Sequence, residues 1–246
     1  MKNLLNLIKE SGFIKGLVYA FIGLFSYPGL NIINRLRVKG MENLHQLPKR
    51  NVLFVSNHQT YFADVICFLH IFCAMKWGKK RGLGIPYYLL WPFTKVKYVA
   101  AEETMKSNWM SRLFSLGGAI TVRRTWNSES RLNRKGLDPG DTRKISRALE
   151  RNWVITFPQG TTTPFAPGRK GTAFIIKQYR PVVVPVVIDG FSRAFNKKGL
   201  KLKKKGTRLS VTFKEPLTLN YDDNVEKILV EVMEAIEQDH SFKRDN

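Results

Sequence analysis

The chain has 246 residues, 43% hydrophobic and 12% aromatic, which is enough to bury a sizeable core and too apolar to stay unfolded. Its 41 Lys and Arg against 19 Asp and Glu leave a net charge of +22, a field that favours polyanions. Nucleic acid, an anionic membrane surface and a phosphorylated or CoA-type ligand all suit that charge. There is no recognisable nucleic-acid-binding motif and the aromatics sit in apolar runs, so no nucleic-acid partner is expected. The 2 cysteines, Cys67 and Cys73, share one apolar run and form no disulfide framework, which suits a reducing compartment. His45, His58, His70 and His240 are scattered, and no Cys/His cluster has metal-ligand spacing, so no metal is expected.

Residues 16–33, "GLVYAFIGLFSYPGLNII", carry no charge and reach about the length of a bilayer core. Lys2, Lys9 and Lys15 precede them and Arg35, Arg37 and Lys39 follow, so charge sets no orientation for a span. No cleavage site of small residues is apparent. The preferred reading is a helix pair, broken near Pro28, lying in or dipping into one leaflet at the cytoplasmic face. A single transmembrane anchor and a buried helix of a soluble domain are the alternatives. Residues 1–37 are accordingly set apart as a membrane-associating segment, and 38–246 as one catalytic-type domain.

From residue 51, apolar strands alternate with helical patterns. "NVLFVS" is a short, wholly apolar run that suits a strand covered on both faces. "DVICFLHIFCAM" is a buried helix, and "KVKYVAAE" a second strand. "SNWMSRLFSLGG" is a helix that Ser107 could cap and the glycine pair stop. "AITVRR" is a strand ending in two arginines, followed by a polar, turn-rich loop. "DTRKISRALERN" is a helix, and "WVITF" a strand running into the Gly/Pro/Thr loop "PQGTTTPFAPGRKG". "GTAFIIKQY" is a helix, "PVVVPVVID" a buried strand and "RLSVTFKEPL" a half-exposed strand. The chain closes on a helix with Val225, Ile228, Leu229, Val232 and Ile236 on one face behind an acidic first turn. The alternation predicts a single α/β domain with a mostly parallel central sheet flanked by helices.

Ligands of open α/β sheets gather at the carboxyl ends of strands. Three loops that follow buried strands carry Asn57-His58 with Asp64, then Arg123-Arg124, then Gln159-Gly160-Thr161 with Arg169-Lys170. The first could transfer a proton, and the other two suit an anionic substrate. The nucleophile elbow Gly-x-Ser-x-Gly, the phosphate loop and the dinucleotide-binding glycines are all missing. A His–Asp pair without a serine partner fits direct general-base catalysis. The histidine takes a proton from a substrate hydroxyl, the hydroxyl attacks a carbonyl, and the aspartate stabilises the imidazolium.

The order of motifs resembles the lysophospholipid (glycerolipid) acyltransferases. "SNHQTYFAD" resembles the family's Asn-His…Asp block, and "YVAAEE" the strand that follows it. "GGAITVRR", "FPQGTTTPFAPGRKGTAF" and "VVVPVVIDG" resemble the next three blocks; together they cover residues 38–217. The resemblance implies His58 as general base with Asp64 its partner, and Arg123 as a phosphate contact. It implies Gly160 and Thr161 as shapers of the acceptor loop, and Pro185 as a structural residue near the site. It implies transfer of a fatty acyl chain from acyl-CoA or an acyl-carrier protein to a lysolipid hydroxyl, with lysophosphatidate the leading acceptor, and no cofactor beyond that cosubstrate.

Three departures stand out. The family places four residues between the histidine and the aspartate; here five intervene, Gln59, Thr60, Tyr61, Phe62 and Ala63. The usual glutamate of the third block is Gln159, and the arginine that follows it is Thr162. Arg124, Arg169 or Lys170 could replace that cation. The departures keep two other readings open: an acyltransferase for a lyso-aminolipid, and a non-catalytic basic membrane-binding relative. Blander readings also stand beside the sharp ones. His58 could be a loop histidine, Asp64 a helix N-cap, the arginine pair solvated strand-end cations, and "KKGLKLKKKGTR" a solvated hairpin rather than a contact for anionic headgroups. His45, His70 and His240 are assigned no function.

Overall fold

In the computed structural model the described residues are 12–106, 109–123 and 139–243. Arg124, Ser107 and most of the polar loop after Arg124 lie outside them.

Seven strands form one sheet in the order β1-β7-β6-β2-β5-β3-β4. They are β1 (Arg35–Lys39), β2 (Val52–Ser56), β3 (Val96–Ala101), β4 (Ala119–Val122), β5 (Trp153–Thr156), β6 (Val182–Asp189) and β7 (Arg208–Phe213). Every neighbouring pair is parallel except β6 and β7. The central strand β2 is buried throughout, as its unbroken apolar run requires.

Alternation along each strand divides the core in two. Val52 and Phe54 of β2 join Trp153 and Ile155 of β5 on one face; Leu53, Val55 and Val154 point to the other. The first face is aromatic: Phe54 lies 5.0 Å from Phe72 and 5.5 Å from Trp153, ring centre to ring centre. It is covered by α1 (Gly12–Tyr27) and α3 (Ala63–Lys76); a short helix α2 (Met41–His45) intervenes in sequence. Helices α4 (Glu102–Lys106) and α5 (Trp109–Leu116) follow β3. The opposite face is covered by α6 (Pro139–Leu149), α7 (Lys170–Tyr179) and α9 (Val225–Ala235); α8 (Phe191–Ala194) is a single turn after β6. Ile228, Val232 and Ile236 are buried, so the face expected of the last helix is the one that packs, and Asn224 caps it by accepting from Lys227 N at 2.7 Å.

The expected break at Pro28 does not occur. The helix runs from Gly12 to Ile32, its last turn, Pro28–Ile32, in wider π geometry with Ile33 N donating to Pro28 O at 2.8 Å. Pro28 stands at the first position of that turn, and Ser26 Oγ donates back to Ile22 O at 2.8 Å. Val18, Tyr19, Ile22 and Leu30 enter the domain core, and buried Lys15 donates to the carbonyls of Thr94 and Val96. Phe13, Leu17, Phe21, Leu24, Phe25 and Ile32 stay exposed on the opposite side. By length and composition this is the one helix among the described residues that could cross a membrane.

The expected division after residue 37 falls inside β1. Its charged residues Arg35, Arg37 and Lys39 read as a flank, but they are the exposed positions of an edge strand paired with β7.

Candidate active site

His58 sits between β2 and α3, and Asp64 in the first turn of α3. Asn57 anchors this turn: its side chain donates to Ile188 O at 2.9 Å and accepts from Ile188 N at 2.8 Å, which extends β2 onto β6 by side chain. Gln59 Oε1 accepts from Phe191 N at 2.8 Å. Residues 57–62 then form a non-helical turn, and α3 begins only at Ala63. The additional residue between His58 and Asp64 is therefore taken up before the helix starts.

Asp64 is not the N-cap; that position is Phe62, and Asp64 lies in the first helical turn. Its carboxylate is buried and accepts from four donors. They are His58 Nδ1 at 2.9 Å, Gln59 N at 2.6 Å, Thr60 N at 3.0 Å and Thr60 Oγ1 at 2.7 Å. The positive end of α3 favours charge there as well. With Nδ1 committed to Asp64, Nε2 is the ring nitrogen left to exchange a proton. The ring stacks on Phe157 at 4.0 Å between centres and its side chain is 13% exposed. A neutral imidazole held this way can accept a proton at Nε2 while the carboxylate stabilises the resulting cation.

His58 lines a cavity of about 830 Å³. Phe62, Val65, Tyr98, Phe114 and Ile175 supply apolar wall; Arg123, Gly160, Thr161, Arg169 and Lys170 line it as well. Arg123 is at the rim, its side chain 75% exposed and 3.5 Å from Glu102, while its backbone N donates to buried Asp141 at 2.8 Å. Lys170 pairs with Glu226 of α9. Gly160 has φ +61°, and a Cβ there would lie 2.8 Å from the Arg169 guanidinium carbon, so glycine lets the guanidinium lie on the loop backbone.

Gln159 is the exception among the expected binding residues. It does not line the cavity but is buried, donating to Ala166 O at 3.0 Å and to Gln238 Oε1 at 3.1 Å. Gln238 Oε1 also accepts from Phe165 N at 3.0 Å, so the amide pair ties the loop to the segment after α9. Gln159 thus shapes the loop from within. Gln59, Thr60 and Phe157 are given no role by the sequence reading, although each lies within two residues of one that is. Both cysteines are buried and unpaired; burial pushes Cys73 up to about 12 and Cys67 well above its ordinary range, which suits packing rather than thiolate chemistry.

A family model described as Acyltransferase matches residues 35–189, a span that holds the His58–Asp64 turn, Arg123 and the loop of Gly160. The chain belongs to the Acyltransferase family. Its fold is similar to the crystal structure of the 1-acyl-sn-glycerophosphate (LPA) acyltransferase PlsC from Thermotoga maritima, with a TM-score of 0.50 and 18% identity. That likeness covers 94% of this chain and 83% of the other. No curated protein sequence matches. This acyltransferase has the mostly parallel α/β sheet expected from the alternation of its strands and helices, with an apolar helix at its N-terminal side.

Proposed function

We propose that this acyltransferase moves a fatty acyl chain from acyl-CoA or an acyl-carrier protein to the hydroxyl of a lysolipid. The leading acceptor is 1-acyl-glycerol-3-phosphate, giving phosphatidic acid for phospholipid biosynthesis. The observation that carries this reading is the buried Asp64 carboxylate on His58 Nδ1, at a cavity with apolar wall and cationic side chains.

His58 Nε2 takes the hydroxyl proton as that oxygen bonds to the thioester carbonyl carbon. The C–S bond then breaks, and the imidazolium returns its proton to the leaving sulfur. Asp64 holds the tautomer and offsets the transient charge. The apolar wall suits an acyl chain, and a cavity of this size suits one lipid-like substrate. Arg123, Arg169 and Lys170 support recognition of a phosphate. The exposed apolar face of α1 supports attachment to a membrane as a monotopic helix or single anchor, at the cytoplasmic face where thioester donors are made.

Purified protein is expected to form diacyl product from lysophosphatidate with either thioester donor, measured by mass spectrometry across a panel of lysolipid acceptors. Thr162 and the inward-turned Gln159 leave the acceptor loop without the charged arginine and glutamate of the usual motif and favour a second reading, a lyso-aminolipid acceptor. A strong preference for lysophosphatidate over lyso-aminolipids in the same panel would sink it.

A further inference from the structure

Residues 197–205 carry six lysines, Lys197, Lys198, Lys201, Lys203, Lys204 and Lys205, all exposed. Among the described residues none of them pairs with a carboxylate. A run of this kind is ordinarily a solvated tail, but this one is a built loop. Phe195 bridges to Leu202; Asn196 Oδ1 accepts from Leu200 N at 3.1 Å and Lys201 N at 3.2 Å, and Lys203 N donates to Ala194 O at 2.7 Å. Two leucines, Leu200 and Leu202, stand among the cations, each 39% exposed.

The loop touches two other elements. At its exit it is tied to the end of the N-terminal helix: Gly206 N donates to Ile33 O and Thr207 N to Asn34 Oδ1, both at 3.0 Å. The cations therefore border the exposed apolar face that ends at Ile32. At its tip the loop braces the His58–Asp64 turn. Tyr61 N donates to Lys197 O and Phe62 N to Lys198 O, both at 3.1 Å. Gly199, at φ +76°, lies so close that a Cβ would sit 2.5 Å from Ala63 N and 2.8 Å from Thr60 Oγ1, the hydroxyl that donates to Asp64.

We infer that residues 196–206 are a contact for the phosphate groups of an anionic bilayer, and that this contact steadies the His58–Asp64 turn when the enzyme docks. The inference rests on the acyl-transfer reading of that turn. A bilayer is the occupant because an apolar helix face and two exposed leucines flank the charge; a purely acidic protein partner would make no use of either. Docking thus couples the surface where lysolipid resides to the geometry of the proposed base.

The test uses the full chain with phosphatidylcholine vesicles, with and without phosphatidylglycerol. Wild type should bind the anionic vesicles more tightly, and K201S/K203S/K204S/K205S should lose about 50-fold or more of that preference. Hydrogen exchange at residues 60–63 should slow when wild type binds. Gly199→Ala should keep vesicle binding yet lose that slowing, together with any stimulation of turnover by phosphatidylglycerol. Circular dichroism shows whether each variant is folded. The inference is overturned if the folded quadruple variant binds anionic vesicles as wild type does, or if exchange at residues 60–63 is unchanged on binding. Loss of affinity only for an acidic carrier protein would likewise overturn it, assigning the loop to a protein partner. Vesicle binding and exchange need no turnover, so failure of the acyl-transfer reading would show separately.

Discussion

Asp64 Oδ2 lies 2.9 Å from His58 Nδ1 although five residues separate the two in sequence. The turn closes because three of its polar side chains are committed: Asn57 to β6, Gln59 to α8, and Thr60 to Asp64 itself. Asp64→Asn should therefore reduce kcat by about 10²–10⁴-fold with little change in acceptor KM, since the loss falls on the transient imidazolium. Steady-state kinetics check this; an unchanged kcat would remove Asp64 from the mechanism.

Thr60→Val removes the hydroxyl donor to Asp64 Oδ1 and leaves one carboxylate oxygen without that bond. The expected cost is about 1 kcal/mol, or roughly fivefold in turnover, with Thr60→Ser near wild type. Equal losses for both substitutions would point to packing instead of the hydrogen bond.

Arg123 is exposed at the cavity rim with Glu102 as a loose partner. Arg123→Ala should raise KM about tenfold for a phosphate-bearing acceptor and leave a lysolipid without an accessible phosphomonoester nearly unaffected. A uniform effect on both acceptors would place Arg123 outside phosphate recognition.

Much of this was legible before the structure. Strand β2 and helix α3 follow from unbroken apolar runs, and those runs fix which loop carries His58. What stayed hidden is non-local. Strand β1 reads as a charged flank because only its pairing with β7 makes it the edge of the sheet, where Arg35, Arg37 and Lys39 face solvent. Gln159 reads as a binding residue because its partner Gln238 comes from the far end of the chain. The helix continues through Pro28 into a π turn, which the helix-breaking tendency of proline alone does not anticipate.

His70 lies in the core between the N-terminal helix and Tyr88, with Ser26 Oγ and Tyr88 OH each 2.9 Å from a ring nitrogen. Burial lowers its pKa from 6.5 to about 3. Below pH 6.5 the unfolded chain takes up a proton that the folded chain refuses. Its contribution is thus fully present above that pH and is lost by about 1.4 kcal/mol per pH unit on the way down to 3. Denaturant unfolding across that range should show a shallower decline, by about one proton, in His70→Gln than in wild type. Equal slopes would mean that His70 charges in the folded state.

The most direct test is acyl transfer by His58→Ala beside wild type, with lysophosphatidate and acyl-CoA, in protein shown to be folded. The predicted result is diacyl product from wild type and a loss of about 10³-fold or more in the variant. Near-wild-type turnover by His58→Ala would contradict the mechanism.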